Sequence, residues 1–340
     1  MPQALESLIN DLQAVRRSHP SGLVASVGDG VVRVDGLERL ARIGDRAAIR
    51  QKGGKALHGE VMAVGQDDIQ LFIDGTPDGI AVGDRVVLTS PTTFAPCDGW
   101  LGRIIDPYAR PLDNRPLPRG HTPRTITAAP PPAAQRRGLG ARLSTGMAVL
   151  NTLLPLVEGQ RVGLFAGSGV GKSRLLSHLT REVEADIVVV ALIGERGREV
   201  SEFVRRVLGP DGMTRTVIVA ATSDQSALTR RRCAGAAMTV AEHFRDKGLK
   251  VLFLADSITR YAEAHREIAA ASGELPALRG FPASVVPLIT GLCERAGPGI
   301  DGMGDITAVF SVLVAGSDMD EPIADILRGV LDGHIVLSRE

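Results

Sequence analysis

The chain has 340 residues, enough for about two domains at the usual ~150 residues per domain. Lysine plus arginine equals aspartate plus glutamate at 39 each, and this balance disfavours a protein that coats nucleic acid. The three cysteines are widely separated and form no CxxC pair, which disfavours a zinc knuckle or a disulfide framework and favours a reducing cytosol.

The N-terminal segment 1–20 is predicted to contain an amphipathic helix, because apolar residues recur at three- and four-residue steps in ALESLINDLQAVRR. The stripe consists of Leu5, Leu8, Ile9, Leu12 and Val15. The residues leave open whether it packs on its own domain or on another protein. The segment lacks the basic region followed by an apolar region that marks a secretory signal.

Segment 21–95 is predicted to form a small antiparallel β-barrel or sandwich. Its runs, such as LVASVGDGVVRV and DRVVLTS, are short, rich in valine and isoleucine, and separated by Gly-Asp turns. Segment 96–140 contains too many prolines for a helix or a central strand. We therefore expect an extended connector there, with the domain boundary inside it.

Segment 141–340 is predicted to be an α/β domain with a mainly parallel sheet. Strand-like runs such as RVGLFA, IVVVALI and VLFLA alternate with helical stretches, a pattern typical of a sheet that is covered by helices on both faces. These runs are much shorter than the ~20 residues that span a bilayer. Ligands of such sheets bind outside the carboxyl ends of the strands.

A candidate phosphate-binding loop follows the first of these strands and precedes a helix, the context that the motif requires. Its glycines would let backbone N–H groups surround phosphates, its lysine would reach the β- and γ-phosphates, and its serine would offer a hydroxyl to Mg²⁺. The loop comprises Ala166, Gly167, Ser168, Gly169, Val170, Gly171, Lys172 and Ser173.

Ala166 stands where the usual loop pattern has its first glycine. This position falls where the strand leaves the sheet, before the tight curl of the loop. We therefore expect Ala166 to have a negative φ, so that its methyl group does not impair phosphate binding.

Two carboxylates are predicted to complete the site. Asp256 follows the apolar run VLFLA and is expected on the metal side, although an aspartate there could also cap the next helix. Glu195 directly follows the strand after the loop helix, and it is expected to polarise the attacking water.

Other charged residues near these carboxylates are ambiguous from the residues alone. Arg196, Arg198, Glu199 and Arg260 could be site groups or salt-bridged surface, and most charged residues are the latter. The run RRR at 230–232 is expected to be a solvated or intersubunit face.

Several longer motifs together resemble the ATP synthase β-subunit family, and more narrowly the flagellar and injectisome protein-export ATPases. They are FAGSGVGKS, GERGREV, ATSDQSALTRRR, ADSITRYAEAHREI, GFPASV, GDITAVFSVLVAGSDMDEPIAD and DGHIVLSRE. The resemblance extends from about Gly22 to the last residue. The loop AGSGVGKS favours an export ATPase over a rotary synthase subunit, and GERGRE, which keeps Glu195, favours a catalytic subunit. Between the two export systems, the flagellar one is preferred.

The resemblance implies a RecA-like ATPase domain that uses ATP and Mg²⁺, with Lys172 and Ser173 on the phosphates and the metal. Glu195 would then activate water, Asp256 would support the metal, and three residues would surround the γ-phosphate, namely Arg196, Glu199 and Arg260.

The resemblance also implies a homohexamer with active sites between subunits. It would sit in the cytoplasm, peripheral to the inner membrane at the export apparatus. ATP hydrolysis would be coupled to release of export chaperones and to substrate unfolding before passage through the export gate. A stator-like regulatory protein would bind the N-terminal helix, and no nucleic acid is expected.

Members of the resembled family continue beyond DGHIVLSRE with a segment that supplies the neighbouring subunit's arginine finger, and then with a helical C-terminal domain. Both are expected to be absent from this chain, which ends at Glu340. An arginine finger contributes a factor of about 10³ to 10⁵ in rate, so weak hydrolysis is expected. A rotary synthase subunit, a hexameric RNA translocase and a non-enzymatic structural module are the alternatives.

Overall fold

The structure is a computed structural model of the chain. It describes residues 18–28, 30–51, 53–54, 56–89, 94–167, 169–314 and 319–338. The N-terminal helix predicted within 1–20 lies, as far as residue 17, outside the described residues.

The first part of the chain forms a closed six-stranded antiparallel barrel, which confirms the predicted fold. Apolar side chains alternate along each strand, so that one set, including Val32, Ile49 and Leu71, fills the interior. In space the strands follow the order β1-β2-β5-β4-β3-β6. Their bounds are β1 Ser21–Val27, β2 Val31–Asp35, β3 Arg46–Arg50, β4 Ala56–Val64, β5 Ile69–Ile73 and β6 Arg85–Leu88.

The second part is an α/β layer structure built on one large sheet, again as predicted. The strand order is β16-β8-β15-β11-β9-β10-β7, with parallel pairing throughout this path, and β14 pairs antiparallel to β15. The bounds are β7 Ile104–Ile105, β8 Arg161–Ala166, β9 Ile187–Glu195, β10 Thr216–Thr222, β11 Val251–Asp256, β14 Gly297–Pro298, β15 Asp305–Leu313 and β16 Gly333–Leu337. A separate hairpin consists of β12 Pro276–Leu278 and β13 Phe281–Pro282.

Helices cover both faces of this sheet. Alternate residues of β9 belong to different cores, because Val189 and Ala191 pack on one face while Val188 and Val190 pack on the other. The α-helices are α1 Ala148–Thr152, α2 Lys172–Glu182, α3 Gly197–Glu202, α4 Gly209–Met213, α5 Ala227–Arg245, α6 Ile258–Ala271, α7 Val285–Arg295 and α8 Pro322–Val330. A π-helix at Phe203–Leu208 joins α3 to α4.

The proline-rich segment 96–140, which we expected to be an extended connector, is held tightly against the α/β part. Trp100 is buried, and its indole N–H donates to the carbonyl of Pro118 at 2.6 Å. Arg103 forms a salt bridge with Asp113 at 2.6 Å. Strand β7 lies within this segment and adds to the edge of the large sheet beside β10.

The barrel docks on the N-terminal end of α5. Asp74, directly after β5, accepts hydrogen bonds from the hydroxyls of Ser226 and Thr229, the latter at 3.0 Å. Arg46 of β3 lies 3.7 Å from the same carboxylate. Met62 and Phe72 of the barrel pack against a small buried cluster formed by α5 and α6. We name this contact the barrel seam.

The expectation of a solvated face at 230–232 was wrong, because these arginines make contacts within the chain, and the intersubunit alternative stays a prediction. Arg231 pairs with Glu60 of the barrel at 3.0 Å, and Arg230 pairs with Glu267 at 2.8 Å. The Arg232 guanidinium lies 5.0 Å from the centre of the Tyr108 ring. The run therefore contributes to the barrel seam and to the packing of α5 against α6.

A buried ion pair ties α5 to α7. Arg295 donates to both carboxylate oxygens of Glu242 at 2.8 Å, and it also donates to the hydroxyl of Thr239 and to the carbonyl of Ile126. Both charged side chains are almost fully buried. Removing either partner would leave the other charge without compensation.

Glu242→Leu is therefore expected to lower the free energy of unfolding by roughly 3–5 kcal/mol, because it leaves the buried guanidinium of Arg295 without its negatively charged partner. The double variant Glu242→Leu/Arg295→Met should recover most of that loss. Glu202→Ala, which removes the exposed partner of Arg206, should cost no more than about 0.5 kcal/mol. Urea denaturation measures all three variants. Equal losses for Glu242→Leu and Glu202→Ala would contradict the assignment.

Candidate functional site

Four neighbouring strands deliver the candidate site residues to one edge of the large sheet. In spatial order β8, β15, β11 and β9 lie side by side. Strand β8 leads into the glycine loop, β11 ends at Asp256, and β9 ends at Glu195. Because these strands are parallel, their carboxyl ends meet at the same edge, where such sheets bind ligands.

The glycine loop has the backbone that phosphate binding requires. Gly169 and Gly171 have φ values of 76° and 101°, in the left-handed region that favours glycine. Gly171 precedes α2, and no side chain in the described part of the chain caps this helix, so its first N–H groups are available to an anion. Gly167 and Val170 belong to the same loop, whereas Ser168 lies outside the described residues.

Ala166 has the backbone conformation that we predicted. It is the last residue of β8, is buried, and pairs with Leu313 on one side and Leu337 on the other. It is not among the residues with positive φ. Its methyl group therefore belongs to the sheet and lies before the curl of the loop.

Lys172 links the two candidate carboxylates. Its Nζ contacts Oδ1 of Asp256 and lies 3.8 Å from Oε1 of Glu195. All three side chains are less than one fifth exposed. Ser173, the next residue, is exposed. One ammonium group is thus shared between two carboxylates that come from different strands.

The environment of Glu195 disfavours its ionised form. Burial, a hydrogen bond with Glu199 and the nearby charge of Asp256 together raise the pKa of the Glu195 carboxyl to about 8, against the opposing effect of Lys172. A carboxyl with such a pKa exchanges a proton near neutral pH, which is the property expected of a general base.

Sequence reasoning missed Ser311, which contacts the site from β15. Its hydroxyl donates to Oδ1 of Asp256 at 2.6 Å, and the side chain is fully buried. The available signal was a lone hydroxyl in the apolar run AVFSVLV (308–314). The residue could not be assigned to Asp256 before the pairing of β15 with β11 was known.

The two arginines expected near the γ-phosphate have side chains that are largely or half exposed to solvent. The Arg196 side chain is 77% exposed, and it approaches Glu199 at 4.0 Å. Arg260 is half-exposed and lies 3.3 Å from Glu263. Both arginines pair with carboxylates of their own helical segments, and neither makes an ion pair with Asp256 or Glu195.

A cavity of about 990 Å³ is lined by Lys172, Ser173, Glu195, Arg196, Glu199 and Arg260, whereas Asp256 and Ser311 are not among its lining residues. Its volume is at the upper end of the usual range for ligand sites, roughly 300–1,000 Å³. Its lining also includes Arg266, Arg279 and Phe281, which sequence reasoning missed. The Arg266 guanidinium lies 4.9 Å from the centre of the Phe281 ring.

The described residues fit a metal that arrives with a nucleotide. Within them, no cluster of three or more His, Cys, Asp or Glu side chains could hold a metal ion. Mg²⁺ in nucleotide sites is bound by one or two carboxylates together with substrate phosphates, so no such cluster is needed. The exposed hydroxyl of Ser173 and the carboxylate of Asp256 are the donors of the kind that it prefers.

These features define a P-loop nucleotide hydrolase: a parallel sheet, a glycine loop at a helix N-terminus, a loop lysine, and carboxylates at the ends of neighbouring strands. Among the described residues, no helix combines the length and apolar character needed to cross a bilayer.

Comparison with known proteins places the chain in one family. The family model described as "ATP synthase alpha/beta family, nucleotide-binding domain" matches residues 146–340. The chain belongs to this family, and it is therefore an ATP-binding, ATP-hydrolysing P-loop enzyme. This confirms the resemblance expected from the sequence.

Curated relatives within this family include the flagellum-specific ATP synthase of Rhizobium meliloti, which is 45% identical over 321 residues, 94% of this chain and 68% of the relative. The corresponding protein of Salmonella typhimurium is 46% identical, over 85% of this chain and 66% of the relative. The type 3 secretion system ATPase of Xanthomonas euvesicatoria is 40% identical, over 94% of this chain and 72% of the relative.

A solved structure is also similar to the chain over nearly its whole length. It is the assembled ATPase EscN from the type III secretion system of enteropathogenic E. coli. It has a TM-score of 0.86 and 39% identity over 94% of this chain and 76% of EscN.

Ala166→Gly is expected to leave nucleotide affinity unchanged, because the methyl group lies in the sheet. Glycine inside a strand should instead lower the free energy of unfolding by roughly 0.5–1 kcal/mol. Titration with a fluorescent ATP analogue and urea denaturation measure the two effects. A large gain in affinity would mean that the alanine impairs the loop.

Glu195→Gln is expected to stabilise the nucleotide-free protein at alkaline pH. The pKa of Glu195 in the folded protein is about 8, above the ordinary value of 4.5 for a glutamate carboxyl. The protonated Glu195 carboxyl therefore makes its full contribution to the free energy of unfolding below pH 4.5, and this contribution is lost as the pH rises through 8. Glutamine removes that loss, so the variant should gain roughly 1–4 kcal/mol at pH 9 and little at pH 5, given about 1.4 kcal/mol per pKa unit.

The matched control is Glu202→Gln, which changes an exposed carboxylate shortly after the same strand. Urea denaturation of both variants at pH 5 and pH 9 measures the difference. If Glu195→Gln had the same effect at both pH values, the raised pKa would be disproved.

Proposed function

We propose that this chain is the ATPase that energises type III protein export, and that the exported proteins are flagellar components. The observation that carries the proposal is the convergence of Lys172, Glu195 and Asp256 beside a phosphate loop. The flagellar assignment is supported by identities of 45% and 46% to flagellum-specific relatives, against 40% to the secretion ATPase.

In the proposed reaction the loop N–H groups and Lys172 bind the β- and γ-phosphates. Ser173 and Asp256 would hold Mg²⁺ with its water shell, and this ion would neutralise negative charge on the phosphates. Glu195 polarises the attacking water and takes up its proton, for which its raised pKa is suited. Arg196, Glu199 and Arg260 line the cavity, and they would contact the γ-phosphate.

We further propose that the chain works as a homohexameric ring with active sites between subunits. EscN, with 39% identity, is known in an assembled form and in complex with its central stalk EscO. The Arg196 side chain is largely exposed and that of Arg260 is half-exposed. This exposure supports the arrangement, because such side chains are accessible to a neighbouring subunit.

The remaining parts of the proposal concern partners and location. A stator-like regulatory protein binds segment 1–20, for which the sequence predicts an amphipathic helix. ATP hydrolysis is coupled to the release of export chaperones and to substrate unfolding at the export gate. The ring lies in the cytoplasm, peripheral to the inner membrane. The equal numbers of acidic and basic residues support the absence of a nucleic-acid partner.

Phosphate release from ATP with Mg²⁺ tests the enzymatic part. Lys172→Ala should weaken nucleotide binding at least about tenfold, because it removes a charge-assisted contact. Glu195→Gln should retain binding but lose hydrolysis by about 10²- to 10⁴-fold, because it removes the general base. Glu202→Gln, on the exposed segment after the same strand, should behave as the unmodified chain.

The specific rate of the unmodified chain should also rise with protein concentration, because a shared active site gains activity as subunits associate. An unmodified chain that hydrolyses ATP no faster than Lys172→Ala at every concentration would refute the proposed function.

A further inference from the structure

Ser311 occupies a special place in the strand order of the sheet. Strand β15 lies between β8, which leads into the phosphate loop, and β11, which ends at Asp256. In the register of β15 with β11, Phe310 lies opposite Ala255, so Ser311 is the neighbour of Asp256 across the strand pair. Its hydroxyl therefore reaches the same carboxylate that Lys172 contacts.

The two oxygens of the Asp256 carboxylate have different surroundings. Oδ1 accepts from both the Ser311 hydroxyl, at 2.6 Å, and the Lys172 ammonium group. Oδ2 accepts no hydrogen bond from any side chain or backbone group in the described part of the chain. Fixing Oδ1 fixes the rotation of the whole carboxylate and reserves Oδ2 for another donor.

The two donors to Oδ1 are not equivalent once a triphosphate binds. Phosphate oxygens compete with Asp256 for Lys172, because the loop lysine contacts phosphates in the proposed function. The Ser311 side chain is fully buried on the central strand β15, and its bond to Oδ1 is made without Lys172. Asp256 is 8% exposed, and a buried carboxylate without a donor is costly.

We propose that Ser311 is a positioning residue, which holds Asp256 in place when Lys172 turns to the phosphates and so presents Oδ2 to the water shell of the nucleotide-bound Mg²⁺. This inference rests on the proposed function. It assigns to a buried strand hydroxyl the outer-shell role that orients metal-side carboxylates in many sites.

The test compares ADP affinity with Mg²⁺ and with EDTA by isothermal titration calorimetry. In Ser311→Ala the gain in affinity that Mg²⁺ provides should fall about tenfold, as is typical when an outer-shell partner is removed. The affinity measured in EDTA should stay unchanged, because the phosphate loop is intact.

A matched pair of variants separates the hydroxyl from the volume of the side chain. Ser311→Thr and Ser311→Val add similar bulk at a buried position and differ in the hydroxyl alone. The Thr variant should keep a Mg²⁺-dependent gain about tenfold larger than that of the Val variant. Equal gains in these two variants, or an equal fall in EDTA and in Mg²⁺ for Ser311→Ala, would overturn the inference.

Lys172→Ala distinguishes failure of the inference from failure of the proposed function. If Lys172→Ala loses ADP binding while the Thr and Val variants do not differ, Ser311 has no positioning role and the nucleotide site stands. If Lys172→Ala binds ADP as tightly as the unmodified chain, the proposed function fails and the inference fails with it.

Discussion

The site depends on one ammonium group that faces two carboxylates. Lys172 contacts Asp256 and lies 3.8 Å from Glu195, and all three side chains are largely shielded from water. A single positive charge cannot fully compensate two negative ones at low dielectric, so one carboxylate must give up its charge more readily. Burial, the hydrogen bond with Glu199 and the charge of Asp256 together raise the pKa of the Glu195 carboxyl. Burial and the nearby charges together thus make Glu195 the proton-accepting group of the site.

The sheet provides the geometry for this arrangement. Strands β8, β15, β11 and β9 are parallel neighbours, and each places its contribution at the same edge. Both faces of the sheet are packed by apolar residues, so the strands cannot slide without exposing a core. The positions of Lys172, Asp256 and Glu195 relative to one another therefore follow from the register of strands that are distant in sequence.

Local patterns predicted much of this molecule. The barrel, the parallel sheet and the φ of Ala166 could be inferred because each is encoded by residues close together in the chain. Ser311 and the cavity residues Arg266, Arg279 and Phe281 could not, because they reach the site through strand pairing and helix packing that spacing does not reveal. The same limitation explains why the prediction of a solvated face at 230–232 was wrong. Three consecutive arginines are typical of a solvent-exposed surface, yet the barrel supplies Glu60 as the partner of Arg231.

The barrel seam has a consequence for how the chain unfolds. Asp74 of the barrel accepts from Ser226 and Thr229, which begin helix α5, and the loop just before that helix contributes Ser223 to the cavity wall. Detaching the barrel would leave these hydroxyls without their acceptor and would expose Met62 and Phe72 to water. We therefore expect the barrel and the α/β part to melt in one cooperative transition.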